Sequence, residues 1–138
     1  MVSWQRLCEI IESGARQTIA VLGDYMLDRY LYGDAERISP EAPVPVLRVI
    51  RQEQAIGGAG SVVADILALG ATAHCVGVIG QDANGQALTS ELEKMGANVA
   101  GLVAVKDRPT TLKTRLVGLA QHRHRQQLIR IDDASSEP

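Results

Sequence analysis

Two carboxylates four residues apart, Asp24 and Asp28, follow a short apolar run and a glycine, Thr18-Ile19-Ala20-Val21-Leu22-Gly23. Ligands of open α/β sheets gather at the carboxyl ends of the strands, so carboxylates at such an exit can accept hydrogen bonds from ligand hydroxyls. The plainer alternative is that Asp24 caps a turn and Asp28 is solvated. A second group is Gly57-Gly58-Ala59-Gly60, followed by Ser61 and an apolar pattern at helical spacing, Val62, Val63, Ile66, Leu67 and Leu69. Glycine permits positive φ and close approach of a ligand to the backbone. A helix beginning there offers unpaired N–H groups and a positive dipole end, which suit phosphates and sugars. A tight strand-to-helix turn without a ligand is the alternative. A third group alternates: Thr111, Lys113 and Arg115 share one face of a strand, and Leu112, Thr114 and Leu116 the other. The cations of that face suit an anionic small molecule, although a solvated strand face is their commoner cause. His122 and His124 have no carboxylate or cysteine beside them, and the segment Gln121–Arg125 reads as an exposed loop. His74 and Cys75 are adjacent and point to opposite strand faces, so they make no metal pair.

The elements that must position these groups alternate in type. Ser3 can cap a first helix bearing Trp4, Leu7, Cys8 and Ile11 on one face, with Gly14 ending it. Thr18–Leu22 reads as a buried strand. Three prolines within Ser39–Pro45 exclude a helix, and Val44, Val46, Val49 and Ile50 then suggest an edge strand whose apolar residues need a cover. A helix from about Ser61 to Leu69 leads to a strand over Ala73–Ile79. Asp82 or Asn84 can cap the next helix, through Leu88, Leu92 and Met95, and Val99–Val105 is a further strand. Strand, glycine turn, helix, strand, helix, strand is the pattern of a parallel α/β sheet. Gln127–Asp132 can return as a second strand beside Thr110–Val117, and Ser135–Pro138 reads as a frayed end.

One domain is expected of 138 residues, and with no Phe, one Trp and three Tyr its core must be aliphatic. A net charge of −2 argues against nucleic-acid or anionic-membrane partners. Half of the 14 basic residues nevertheless fall between Lys106 and Arg130, which makes that stretch locally cationic. Cys8 and Cys75 have no metal spacing and read as reduced thiols, and no apolar run is long enough to cross a membrane, so a cytoplasmic protein is expected.

Four blocks resemble the amino-terminal part of the ribokinase-like (PfkB) sugar kinases, over about Ile19 to Asp132. They are Val21–Tyr30, Arg37–Val46, Gly57–Gly60 through Gly70 to Gly80, and Thr110–Arg115 with Gln126–Asp132. The Arg-Ile-Ser-Pro-Glu-Ala-Pro-Val-Pro-Val block is similar to the kinases that phosphorylate D-glycero-D-manno-heptose 7-phosphate at O1, toward ADP-heptose for lipopolysaccharide. The resemblance implies an α/β fold, mostly a parallel sheet with helices, plus a small β lid. One partial kinase domain spans 1–138, with lid segments at about 31–50 and 111–131. It implies that Asp28 binds sugar hydroxyls, that Gly57 and Gly58 let the sugar approach the backbone, that Asp24 supports the strand-exit loop, and that the lid forms a homodimer contact. ATP and Mg2+ are implied for the complete kinase and not for these residues. Lys113 and Arg115 could neutralise the 7-phosphate.

Two departures bear on this. The resemblance implies a sugar contact at Ser61, which stands where the family usually has Asn; the exchange of an amide for one hydroxyl weakens or changes that contact. The family's Asp-Thr-x-Gly-Ala-Gly-Asp-like segment, with its base and anion hole, does not occur here. Phosphoryl transfer needs positioned phosphates and an oriented acceptor, so this chain alone is expected to be inactive and to carry the sugar-binding half. The alternative is a short non-catalytic protein that binds a sugar phosphate or dimerises through the lid strands. A nucleotide-binding Rossmann unit is disfavoured, because Gly58-x-Gly60-x-x-Val63 lacks the third small residue and Gln52-Glu53-Gln54 reads as an interruption before the glycines.

Overall fold

The computed structural model describes residues 2–14, 17–119 and 125–134. The element order is α1 (Trp4–Gly14), β1 (Thr18–Leu22), β2 (Tyr25–Ile38), β3 (Pro45–Gly58), α2 (Ala59–Ala68), β4 (Thr72–Gly80), α3 (Ala83–Lys94), β5 (Asn98–Val105), β6 (Leu112–Leu119) and β7 (Arg125–Asp133). Two sheets result. A three-stranded sheet has the order β1-β4-β5, all parallel, and a four-stranded sheet has the order β3-β2-β6-β7. In the second, β2 is antiparallel to β3 and parallel to β6, and β6 is antiparallel to β7.

The core lies between the parallel sheet and the helices α2 and α3. Ala73, Cys75 and Ile79 alternate along β4 and are buried with Val63 of α2 and Leu88 and Leu92 of α3. Tyr25 and Leu27 at the start of β2, and Leu112 at the start of β6, join the same cluster. The Tyr25 hydroxyl donates to the Val21 carbonyl at 2.7 Å, so the one polar atom of that ring is satisfied inside. Ser3 does cap α1, its Oγ accepting the Arg6 N–H at 3.2 Å, and Asp82 caps α3.

Three expectations need correction. Thr18–Leu22 is a strand, but only Val21 is buried, because β1 lies at an edge of its sheet and only one face of that sheet is covered by α2 and α3. The glycine turn is preceded directly by a strand: β3 runs unbroken through Gln52-Glu53-Gln54 to Gly58. Those residues are exposed, so a ladder continues where the apolar pattern stops. The Gly58–Val63 turn still makes no Rossmann unit, since the strands before and after it, β3 and β4, belong to different sheets. The helix also begins at Ala59, two residues before Ser61. The segment 120–124 with His122 and His124, and the end at Ser135–Pro138, lie outside the described residues.

Candidate functional site

The site is set by strand alternation at the point where β2 and β6 leave the core. Leu27 and Leu112 are register partners and both are buried. The next residues, Asp28 and Lys113, are also partners and must face the other way. Ala55 of β3 and Asp132 of β7 complete that row. The next row on the same face is Glu53, Tyr30, Arg115 and Arg130. One face of the four-stranded sheet therefore carries cations, acids and tyrosines, and its opposite face is apolar near the core.

Asp28 is held from two sides. Arg115 Nη1 donates to its Oδ1 in an ion pair whose two side chains are each 20% exposed. This bond is the main reason that the Arg115 guanidinium holds its proton even more firmly than usual, against the opposing effect of burial. The guanidinium also lies over the Tyr30 ring, 5.2 Å from its centre. The other oxygen, Oδ2, lies against Gly57, where an added Cβ would stand 2.8 Å from it. Gly57 is thus small because the carboxylate occupies the space a side chain would need. Gly58 has φ +60° and ψ −132°, and a Cβ there would fall 2.3 Å from the Asp24 carbonyl. That carbonyl accepts the Ala59 N–H at 2.9 Å and so anchors the first turn of α2. The Asp24 carboxylate is on an exposed residue.

Asp28, Gly57, Lys113 and Arg115 are therefore brought together, with Gly58 and the Asp24 backbone at the adjoining turn. Ser61 is turned elsewhere. Its hydroxyl donates to the Ile56 carbonyl at 3.1 Å, and it lines a cavity of about 270 Å³ with Gln54, Asp65, Glu91 and Met95. Asp28, Lys113 and Arg115 are each partly exposed, so the cluster is reached from solvent.

A hydrogen-bond hub fixes where β6 begins. The Asp82 carboxylate accepts from the Gly85 N–H at 2.7 Å, the Thr110 N–H at 2.8 Å and the Thr110 hydroxyl at 2.8 Å. Thr110 is the buried polar residue of the chain's described core, and its Oγ1 accepts the Gly80 N–H at 2.9 Å. Burial pushes the Asp82 carboxyl up, but the bonds from Thr110, Gly85 and Asn84 together outweigh it and leave it below the usual carboxylate range. Three residues after Thr110 comes Lys113. Sequence reasoning found the Asp82 cap but not this link to Thr110, nor the pairing of Asp28 with Arg115. The two-residue spacing of Asp28, Tyr30 and Tyr32 was the available signal that β2 is already a strand there.

No group of three or more metal-ligating side chains converges among the described residues. Three of the concavities beside α3 contain Glu91 or Glu93, the one cation among their described residues, Lys94, is paired with Glu91, and the α3 amino terminus is filled by the Asp82 carboxylate. These residues do not fit a metal-bound nucleoside triphosphate, whose charge calls for cations and free N–H groups.

The architecture is that of the ribokinase-like kinases. It superposes on Arabidopsis thaliana ribokinase, solved with ribose and ATP, with a TM-score of 0.61 at 17% identity, over 82% of this chain and 36% of that one. A Methanocaldococcus jannaschii nucleoside kinase gives 0.62 at 17% identity, over 84% of this chain and 36% of that one. The sequence pattern of the pfkB family carbohydrate kinases matches residues 16–136, and the chain belongs to that family. It is 40% identical over 129 residues to the "Bifunctional protein HldE" of Wolinella succinogenes, covering 94% of this chain and 26% of that protein. It is 45% identical over 118 residues to the "D-beta-D-heptose 7-phosphate kinase" of Bordetella bronchiseptica, covering 86% of this chain and 36% of that protein. The chain thus spans between about a quarter and about a third of the length of these two curated relatives.

Proposed function

We propose that these residues form the sugar-binding half of a kinase that transfers the γ-phosphoryl group of ATP to O1 of D-glycero-D-manno-heptose 7-phosphate. The observation that carries this reading is the Asp28 carboxylate seated against Gly57, near the start of β2 where that strand leaves the core. A carboxylate held in place against bare backbone can accept hydrogen bonds from sugar hydroxyls. The named relatives at 40% and 45% identity support the heptose phosphate as the substrate. The face that carries Lys113 and Arg115 is cationic, which suits a substrate with a 7-phosphate, and Gly58 with Asp24 shapes the adjoining turn. The four-stranded sheet acts as the lid.

ATP and Mg2+ are assigned to the complete kinase. The chemistry beside α3 supports this division: Glu91 and Glu93 line the concavities there, and Asp82 occupies the helix amino terminus. The test is ADP release by the protein its whole reading frame encodes, with heptose 7-phosphate and ATP, and NMR location of the new phosphate. Product at O1 is expected. Release of ADP by the isolated 138 residues, or phosphate on another hydroxyl, contradicts the proposal.

A second reading is favoured by the sheet's opposite face. There Leu31, Leu116 and Ile129 fall in one row, Ile131 lies beside it, and the two isoleucines are about half exposed. That apolar surface suits a second copy, giving a homodimer through the lid. Equilibrium sedimentation tests it, with a concentration-dependent dimer expected and a monomer at all concentrations opposing it.

A further inference from the structure

Two cations on one strand face invite the same assignment, but their surroundings differ. Arg115 is register partner to Tyr30, yet its guanidinium reaches back along the sheet to Asp28. One of its faces is covered by the Tyr30 ring, and its charge is already matched by a carboxylate. A phosphate dianion brought to this guanidinium would also meet the Asp28 charge. Lys113 lies between two carboxylates in its row, Asp28 and Asp132. Asp28 is taken by Arg115, and Asp132 by Arg130 at 2.8 Å. Among the described residues, no carboxylate lies within 4.0 Å of the Lys113 amine.

We infer that Arg115 is a positioning residue for Asp28, and that Lys113 alone of the two takes the phosphate of the substrate. The inference rests on the sugar-binding reading above. In this arrangement the carboxylate divides its two oxygens. Oδ1 is spent on Arg115, which ties β6 to β2 and fixes the rotamer of Asp28. Oδ2 stays over Gly57, where it accepts from the sugar. An ionised carboxylate held in one rotamer accepts a hydroxyl more strongly than a mobile one, because less side-chain freedom is lost on binding. Lysine, a flexible point charge, suits a phosphate at the far end of a seven-carbon sugar.

The experiment is calorimetric titration of the full chain its gene encodes with D-glycero-D-manno-heptose and with its 7-phosphate. The wild type is expected to prefer the phosphate. R115Q is expected to weaken both ligands by the same factor, about tenfold or more, as fits the loss of a bond to a charged group. K113Q is expected to weaken only the phosphorylated sugar and to collapse the preference. In a D28N background, R115Q should change neither affinity further, which a direct phosphate contact would not allow. R115K, which keeps a charge able to reach Asp28, should recover part of the loss and serves if R115Q folds poorly. A loss in R115Q confined to the 7-phosphate, or no loss for either sugar, overturns the inference. A wild-type chain that binds neither sugar overturns the sugar-binding reading itself, and the inference falls with it.

Discussion

The parallel sheet closes one face against two helices, and Ala73, Cys75 and Ile79 lie buried with Val63, Leu88 and Leu92. In the four-stranded sheet, β7 has no buried residue, and β3 has one, Gly57. The parallel sheet's strands are mostly apolar runs, such as Ile19–Leu22 and Val99–Val105, while those of the second sheet mix apolar and polar residues. What covers them differs accordingly: helices in the first, and solvent over most of the second. The site sits on the boundary. Leu27 and Leu112 root their strands in the packed layer, and one residue further Asp28 and Lys113 stand on the open one. A binding group gains a rigid base from the first and freedom of access from the second.

The sharpest way to break this contrast is a pair of truncations. L88A in the packed layer should cost about 2–5 kcal/mol in urea unfolding. I129A on β7 should cost less than about 1 kcal/mol, since its side chain is already half exposed. Equal losses would mean that the second sheet is as tightly covered as the first.

The hub that joins the layers should be next. D82N removes charged acceptance from Thr110 and Gly85 and should cost about 1–3 kcal/mol in the same unfolding assay. Because the folded carboxyl lies below its usual range, its contribution is present above the unfolded value near ~4 and is lost as pH falls through the folded value. Wild-type stability should therefore fall through that acid window, and D82N should show a shallower fall. Identical pH curves would remove the carboxylate from the account.

A smaller effect on stability is expected at the boundary itself. G57A should displace the Asp28 carboxylate, since the new Cβ would stand 2.8 Å from Oδ2. Heptose 7-phosphate binding should weaken by about tenfold, the scale of a disturbed bond to a charged group. An unchanged affinity would separate Gly57 from the site. The smallest effect belongs to the open ribbon, where R48A removes an exposed ion pair to Asp34 at 2.8 Å. It should shift unfolding by less than about 1 kcal/mol.

Much of the packed layer was legible in the sequence, because buried strands and helices write their period into apolar residues. Thr18–Leu22 coincides with β1, and the Asp82 cap with the start of α3. The open sheet was harder to read. Gln52-Glu53-Gln54 breaks the apolar pattern without breaking the ladder, since a strand in solvent needs no apolar face. Asp28, Gly57, Lys113 and Arg115 were each visible as residue types. Their union was not, because it depends on register between distant strands: Asp28 pairs with Ala55 of β3, and its carboxylate meets Arg115 of β6, 87 residues away in sequence. Ser61 was read with the sugar site, but its hydroxyl is bonded to Ile56 and faces another cavity.

The central claim is that Asp28 is the sugar acceptor of this boundary, and calorimetric titration of heptose 7-phosphate into wild type and D28N tests it most directly. The account predicts measurable binding by the wild type, a loss of about tenfold or more in D28N, and melting temperatures within a few degrees of one another. Equal affinities in the two proteins would contradict it.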